Sequence, residues 1–319
     1  MARLMKEHDN IRAGLRSSLA AGDGEKLARF TLALGWFWFL RCFFREGRSW
    51  FDAALNSFTS ASAATRAQLL IGAGELAWAQ GDHGPDRAIF EEALALAVET
   101  GDDSLIGDAL LRTALADHGA GEIELAQQHL EESIGKLREH GSPLLLGEAL
   151  NNLGWVRGVI LGDAVAARQL LDESLSIARQ CGDLWLLNSV LDSVGNLEIT
   201  QGNLDTAQAF QEEGLRICTA LDAAWSLPHN LEGFVRLSCA RHQFERGLCI
   251  AGAAARLRED VGSIQVPGDK AQIEMLIREA RAHLPDRVGD AAWRNGWQMA
   301  EADAVEYSLS GELTLPNSG

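Results

Sequence analysis

A small residue returns about every 40 positions along this 319-residue chain. It stands at Gly35, Gly74, Ala114, Gly154 and Gly195, with Val235 as a degenerate sixth, in steps of 39, 40, 40, 41 and 40. Behind these pivots come Cys42, Gly81, Gly121, Gly162, Gly202 and His242. Acidic pairs follow, each trailed by a small and then an apolar residue: Glu91-Glu92, Glu131-Glu132, Asp172-Glu173 and Glu212-Glu213. A fixed period of this size marks a solenoid, whose units bury their apolar faces against their neighbours and grow in one dimension. The question of function therefore moves from catalytic residues to what lies against the repeated face.

Each unit reads as two helices. In the fourth, Leu146, Leu150, Leu153 and Val156 recur at helical spacing, and Leu161-Gly162-Asp163 breaks the pattern. Ala167, Leu171, Leu175 and Ala178 then recur before Cys181-Gly182-Asp183 closes the unit. The apolar period is 3.6 and no run alternates as a strand would. Glycine after a helix supplies the left-handed cap, and the following Asp caps the next helix. The class is all-α. A pivot larger than Ala would hold two crossing helices apart, and Ala126, Ala167 and Ala207 serve the same contact from the second helix. Unit two has Asp86 there instead, after Gly84-Pro85, so its second helix starts late with Pro85 in the first turn. Unit four takes eight steps rather than seven from pivot to Gly162, and an extra residue in a helix produces a π-bulge.

The sixth unit, Trp225 to Asp260, lacks both glycines and reads as terminal. A linker with Gly262, Ser263, Pro267 and Gly268 leads to helices over 269–283 and 288–300 and a short one over 303–309. The expected organisation is a repeat region over 1–262, a helical cap over 263–312 and a disordered tail over 313–319.

A net charge of −17 speaks against a nucleic-acid backbone as direct partner. Five cysteines, odd in number and without a CxxC, fit reduced thiols in a cytoplasmic protein. Met1 to Asn10 is charged and lacks the apolar stretch of a signal peptide. The most apolar segment, Phe30 to Leu40, falls far short of a membrane span, so no membrane partner is expected and the segment reads as a buried helix.

Units such as LLIGAGELAWAQGD…AIFEEALALAVETGD and ALNNLGWVRGVILGD…ARQLLDESLSIARQCGD resemble tetratricopeptide-type repeats in their longer form. More narrowly, the chain resembles the C-terminal repeat region of bacterial signalling ATPases and of LuxR-type or MalT-like transcription activators. EHDNIRAGLRSSLAAGD resembles the start of that region, and IAGAAARLRED with DAAWRNGWQMAEADAVEYSL its end. The resemblance implies a right-handed superhelix of about six tetratricopeptide-like hairpins with C-terminal capping helices. It also implies a regulatory arm that senses or binds a partner in signal transduction. No GxxxxGK[ST] and no basic recognition helix occurs here, so ATP hydrolysis and DNA binding do not carry over. The expectation is the arm alone, as a fragment or as a free-standing relative.

In such superhelices the first helix of each unit lines the concave side. Positions −6, −3, +1 and +4 from the pivot then form one stripe. Its early members are Leu32, Trp36, Phe39, Ile71 and Trp78. Asp108 and His118 lie in the third unit. The later members are Glu148, Asn151, Trp155, Asp192, Asn196, Glu232 and Arg236. An aromatic start and an acidic, amide-rich end suit a peptide, protein segment or small effector with one apolar and one basic or amide-rich end. A clamp for a terminal carboxylate is disfavoured: Arg29 and Arg236 are the only cations on the stripe, and Glu232 stands one turn from Arg236.

No HExxH, zinc spacing, GxSxG or marked nucleophilic cysteine occurs, and no cofactor or metal is implied. Asp117-His118 is a poor acid–base pair because adjacent helical residues diverge, and His129 with Glu132 reads as a surface contact. Acidic pairs in phase with the fold read as solvated faces. The leading reading is a non-catalytic binding scaffold. The alternatives are an enzyme using Asp108, His118, Glu148 or Asp192 in a superhelix cavity, and a scaffold that only oligomerises. The oligomeric state is left open.

Overall fold

The structure, a computed structural model, describes residues 2–81, 85–263, 265 and 267–310. Among these every regular element is helical. In chain order they are α1 (Ala2–Lys6), α2 (His8–Ala20), α3 (Gly24–Leu40), α4 (Phe44–Ser57), α5 (Ala63–Ala79), α6 (Pro85–Thr100), α7 (Asp103–Ala120), α8 (Ile123–His140) and α9 (Pro143–Trp155). After a π-helical turn at Val156–Ile160 come α10 (Ala164–Cys181), α11 (Leu184–Thr200), α12 (Leu204–Leu221), α13 (Leu227–Ala240), α14 (Phe244–Val261), α15 (Pro267–Ala282), α16 (Asp286–Gln298) and α17 (Glu301–Ser310). The all-α helical repeat is thus present, with Pro85 opening α6 and the π turn in the fourth unit as expected. The tail expected at 313–319 lies outside the described residues.

The chain divides into two compact units, Met1–Leu146 and Gly147–Gly319. In the first, the pairs α3/α4, α5/α6 and α7/α8 form hairpins. Gly74 lets the Phe90 ring lie on the backbone of α5, where any Cβ would overlap the ring. Ala67, Ile71, Ala93, Ala97, Ile106 and Ala109 join in one buried cluster that carries the α5/α6 hairpin onto α7. In the second unit, a Cβ at Gly154 would stand 2.7 Å from Leu171. Ala167, Leu171, Val190, Val194 and Leu197 form the corresponding cluster. Ala126, Ala167 and Ala207 are fully buried, as the crossing requires.

The turn between the helices of each unit places one residue in the left-handed region. Its φ is 55° at Cys42, 77° at Gly81, 83° at Gly121, 75° at Gly162, 79° at Gly202 and 58° at His242. A side chain there costs roughly 1–2 kcal/mol, so Cys42 and His242 sit under strain the glycines avoid. His242→Gly is expected to raise stability by about 0.5–1 kcal/mol in urea unfolding. A loss instead would show that the edge contact of the His242 ring with Phe244, at 5.6 Å, outweighs the backbone strain.

The C-terminal helices pack on the sixth hairpin. α14 and α16 cross at Gly252 and Gly296, where a Cβ on either would overlap backbone of the other helix. Arg246 donates to the Ser308 carbonyl at 2.7 Å and ties α17 to α14. No helix among the described residues is long and apolar enough to cross a membrane. Of the Phe30–Leu40 segment, Phe37 to Leu40 are buried, while Phe30 and Trp36 stay exposed.

Candidate functional site

In the first unit the stripe residues have distinct fates. Trp36 is 44% exposed and stacks on Phe39, their rings 5.3 Å apart and 4° from parallel. Trp78 and His118 are half-buried. Asp108 is engaged by Arg112, whose Nε lies 3.1 Å from Asp108 Oδ1 and 3.2 Å from Glu75 Oε1. One buried arginine of α7 therefore meets an acid of its own helix and one of α5.

The second unit draws its stripe together. The guanidinium carbon of Arg236 on α13 stands 5.6 Å from the centre of the Trp155 ring on α9. Those helices belong to the fourth and sixth repeats, with α11 between them in sequence and packed on α13. Side chains of alternate hairpins thus meet on this face of the unit. Trp155 sits at the start of the π turn, closed by the bond from Leu161 N to Val156 O at 3.0 Å. Gly158 inside that turn lies against Ala167 and Leu197, with no room for a larger residue. Arg236 makes no ion pair among the described residues; its charge lies over the indole face and acts on Asp192.

Asp192 on α11 is the most perturbed acid of this wall. Burial pushes its carboxyl up to about 6; the charge of Arg236 and the amides of Gln211 and Asn196 pull it down, and Glu232 pushes it up. Its Oδ1 is buried and has no hydrogen-bond donor. Asn196, one turn on, donates Nδ2 to the Asp192 carbonyl at 2.8 Å, and Gln211 on α12 donates to the same carbonyl at 3.4 Å. The oxygens Asn151 Oδ1, Asn196 Oδ1 and Gln211 Oε1 are also buried without a donor. Glu148 lies one turn before Asn151 on α9, half-buried.

Gln211 was not among the sequence candidates, although its repeat phase marks it. Phe51, Phe90, Leu130 and Leu171 hold the equivalent step behind their pivots, and all are buried apolar residues. In the fifth unit a glutamine, only 1% exposed, takes that place. Its amide lies between the backbones at Gly195 and Gly233. A polar group at a core position of a repeat is retained against a cost of desolvation, so it points to a task.

Glu232 is committed elsewhere. Its Oε1 accepts from Arg258 Nη2 at 2.7 Å and from Gln265 Nε2 at 2.7 Å. The expectation that Glu232 offsets Arg236 is corrected to that extent: both residues of the pair Glu232–Arg258 are buried, and the linker residue Gln265 seals it. Beside it, His229 is held neutral. Burial, then the charges of Arg258 and Arg236, drives its pKa well below the ordinary value. The His229 ring lies 4.6 Å from that of Trp225, which lies 6.1 Å from Trp185. Trp185 and Trp225 both stand ten residues before a pivot, a recurrence the stripe positions passed over.

Outside this wall, Asp117 is fully buried and pairs with His129 Nδ1 at 2.7 Å and Arg87 Nη2 at 3.5 Å. The histidine read from sequence as a surface contact of Glu132 thus faces Asp117 instead. No group of three or more His, Cys, Asp or Glu among the described residues could hold a metal ion. What the second unit offers chemically is binding: an indole under a guanidinium, and buried acceptors that lack donors.

No family model matches the chain. Three curated relatives from Mycobacterium bovis and two strains of Mycobacterium tuberculosis, provisionally named HTH-type transcriptional regulators, are each 28% identical over 213 residues. That stretch is 67% of this chain and 20% of each relative, so the matched stretch covers about a fifth of their length. Among solved structures, a Rap protein complexed with Competence and Sporulation Factor superposes with a TM-score of 0.63 at 14% identity, over 89% of this chain and 77% of that one. BtubC from P. vanneervenii aligns with a TM-score of 0.48 at 16% identity, over 79% and 94%. The Rap likeness fixes the fold as a helical repeat. None of these relatives is named for an enzymatic activity.

Proposed function

We propose that this chain is a repeat scaffold whose second unit binds a peptide, a protein segment or a small effector on its concave face, as the sensor arm of a regulator. The observation that carries the reading is Arg236 held over Trp155 across α11, beside buried acceptors without donors. Buried acceptors left without donors are costly in a free protein and are relieved by a ligand that donates to them. The Rap protein, similar in fold, was solved with a factor bound, and the mycobacterial relatives carry a regulator's name. The resemblance to MalT-like and LuxR-type arms and a cytoplasmic setting belong to the same proposal. So does signal transduction as its role, with a protein or peptide as first partner and no direct nucleic-acid or membrane contact.

The test is capture from a random octapeptide library and a set of cell metabolites by the wild type and by Trp155→Ala. Retained ligands are expected to bind the variant at least tenfold more weakly, the loss of one aromatic anchor. Equal retention by the variant would remove this face from consideration.

A further inference from the structure

Resting on that reading, we propose that the ligand brings a cationic group with several N–H donors to Asp192: a primary ammonium or a guanidinium, as on a lysine or arginine side chain or at an amino terminus. The argument starts from the balance of donors and acceptors. Asn151 Oδ1, Asp192 Oδ1 and Asn196 Oδ1 come from the stripe of α9 and α11, and all three are buried with no donor. Asn151 is 7% and Asn196 1% exposed, so neither amide is a surface group. Gln211 Oε1 lies behind them in the same condition. A deficit of donors is filled by a group that only donates. An ammonium brings three N–H and a guanidinium five, and neither carries an acceptor to clash with these oxygens.

The charges around Asp192 favour the same class. The side chains that act on it are Arg236 and Glu232 from α13, Gln211 from α12 and Asn196 from its own helix. Glu232 is matched by Arg258 at 2.7 Å, and His229 is neutral. Arg236 lies over the Trp155 ring and makes no ion pair with Asp192 among the described residues, and the buried Oδ1 is left without a donor. The buried carboxyl, held up to about 6, has a charge that Arg236 and the amides of Gln211 and Asn196 compensate only in part. A cation at Oδ1 completes that compensation and pulls the pKa back down, so binding weakens as pH falls through 6 and Asp192 takes up its proton. The apolar remainder of the ligand lies on Trp155.

The experiment screens the octapeptide library, with blocked and free amino termini, on the wild type, Trp155→Ala and Asp192→Asn in 0.15 M salt, which screens non-specific attraction to an acidic protein. The expected result is enrichment of Lys, Arg or a free amino terminus at one position. Those peptides lose at least tenfold in affinity on Asp192→Asn, and as much when the amine is acetylated or arginine is replaced by citrulline. Peptides that need Trp155 but show no enrichment of cations, or that bind Asp192→Asn within twofold, overturn this inference and leave the binding reading standing. Binding that is indifferent to Trp155 overturns both. Because asparagine has the shape of aspartate, the variant's circular dichroism and melting profile separate a lost contact from a lost fold.

Discussion

Asp192→Asn is expected to stabilise the free protein at pH 7.5 by about 1–2 kcal/mol. The folded carboxyl titrates near 6, against an ordinary value of 3.8. Each unit of difference corresponds to about 1.4 kcal/mol, giving an upper bound of about 3 kcal/mol. Asparagine keeps part of the cost, because its own oxygen still lacks a donor. The sign follows from proton binding. Between pH 4 and 6 the folded protein holds a proton on Asp192 that the unfolded chain has released, so the wild type gains stability as pH falls through that window. The variant lacks this gain. The difference measured by urea unfolding should therefore be full at pH 7.5 and nearly gone at pH 4.5. A variant less stable than wild type at pH 7.5 would show that the carboxylate is compensated in the free protein. A residue that destabilises the resting state while shaping a binding wall is the usual trade between stability and function.

The second large effect is expected at Glu232. Glu232→Ala removes the partner of a buried guanidinium and leaves Arg258, with its Nε already lacking a hydrogen-bond partner, facing the neutral ring of His229. Breaking such a pair from one side costs about 3–5 kcal/mol, far more than the pair is worth against apolar replacements. The double variant Glu232→Leu with Arg258→Met is expected to recover most of that loss. A single-variant loss below about 1 kcal/mol, measured by urea unfolding, would mean the pair is solvated. Gln265 joins the same carboxylate from the linker after α14, so limited proteolysis near residue 265 should quicken in Glu232→Ala.

Much of the fold was legible because its signals are local and repeat. The pivots, the left-handed turn residues, the late start at Pro85 and the extra residue behind Gly154 follow from period, sterics and capping. The site was legible in part. Helical spacing put Trp155, Asn151, Asp192, Asn196, Glu232 and Arg236 on one stripe, but not which of them satisfy each other. Glu232 pairs with Arg258 of the second helix of its hairpin, and a periodic pattern gives no distances between helices. The partner of His129 was missed for the same reason. Gln211 could have been found by comparing equivalent core steps along the second helices, where it is the polar residue in a run of apolar ones. The crossing of α14 and α16 at Gly252 and Gly296 falls outside the 40-residue period, so the repeat carried no signal for it.

The central claim is that the concave face of the second unit holds the ligand. A crystal structure of the chain with a peptide retained in the library screen tests it most directly. The account predicts density for the peptide along α9, α11 and α13, with an apolar side chain on Trp155 and a nitrogen within hydrogen-bond distance of Asp192 Oδ1. Density seated instead on the exposed Trp36, with Asn151, Asp192 and Asn196 still lacking donors, would contradict it.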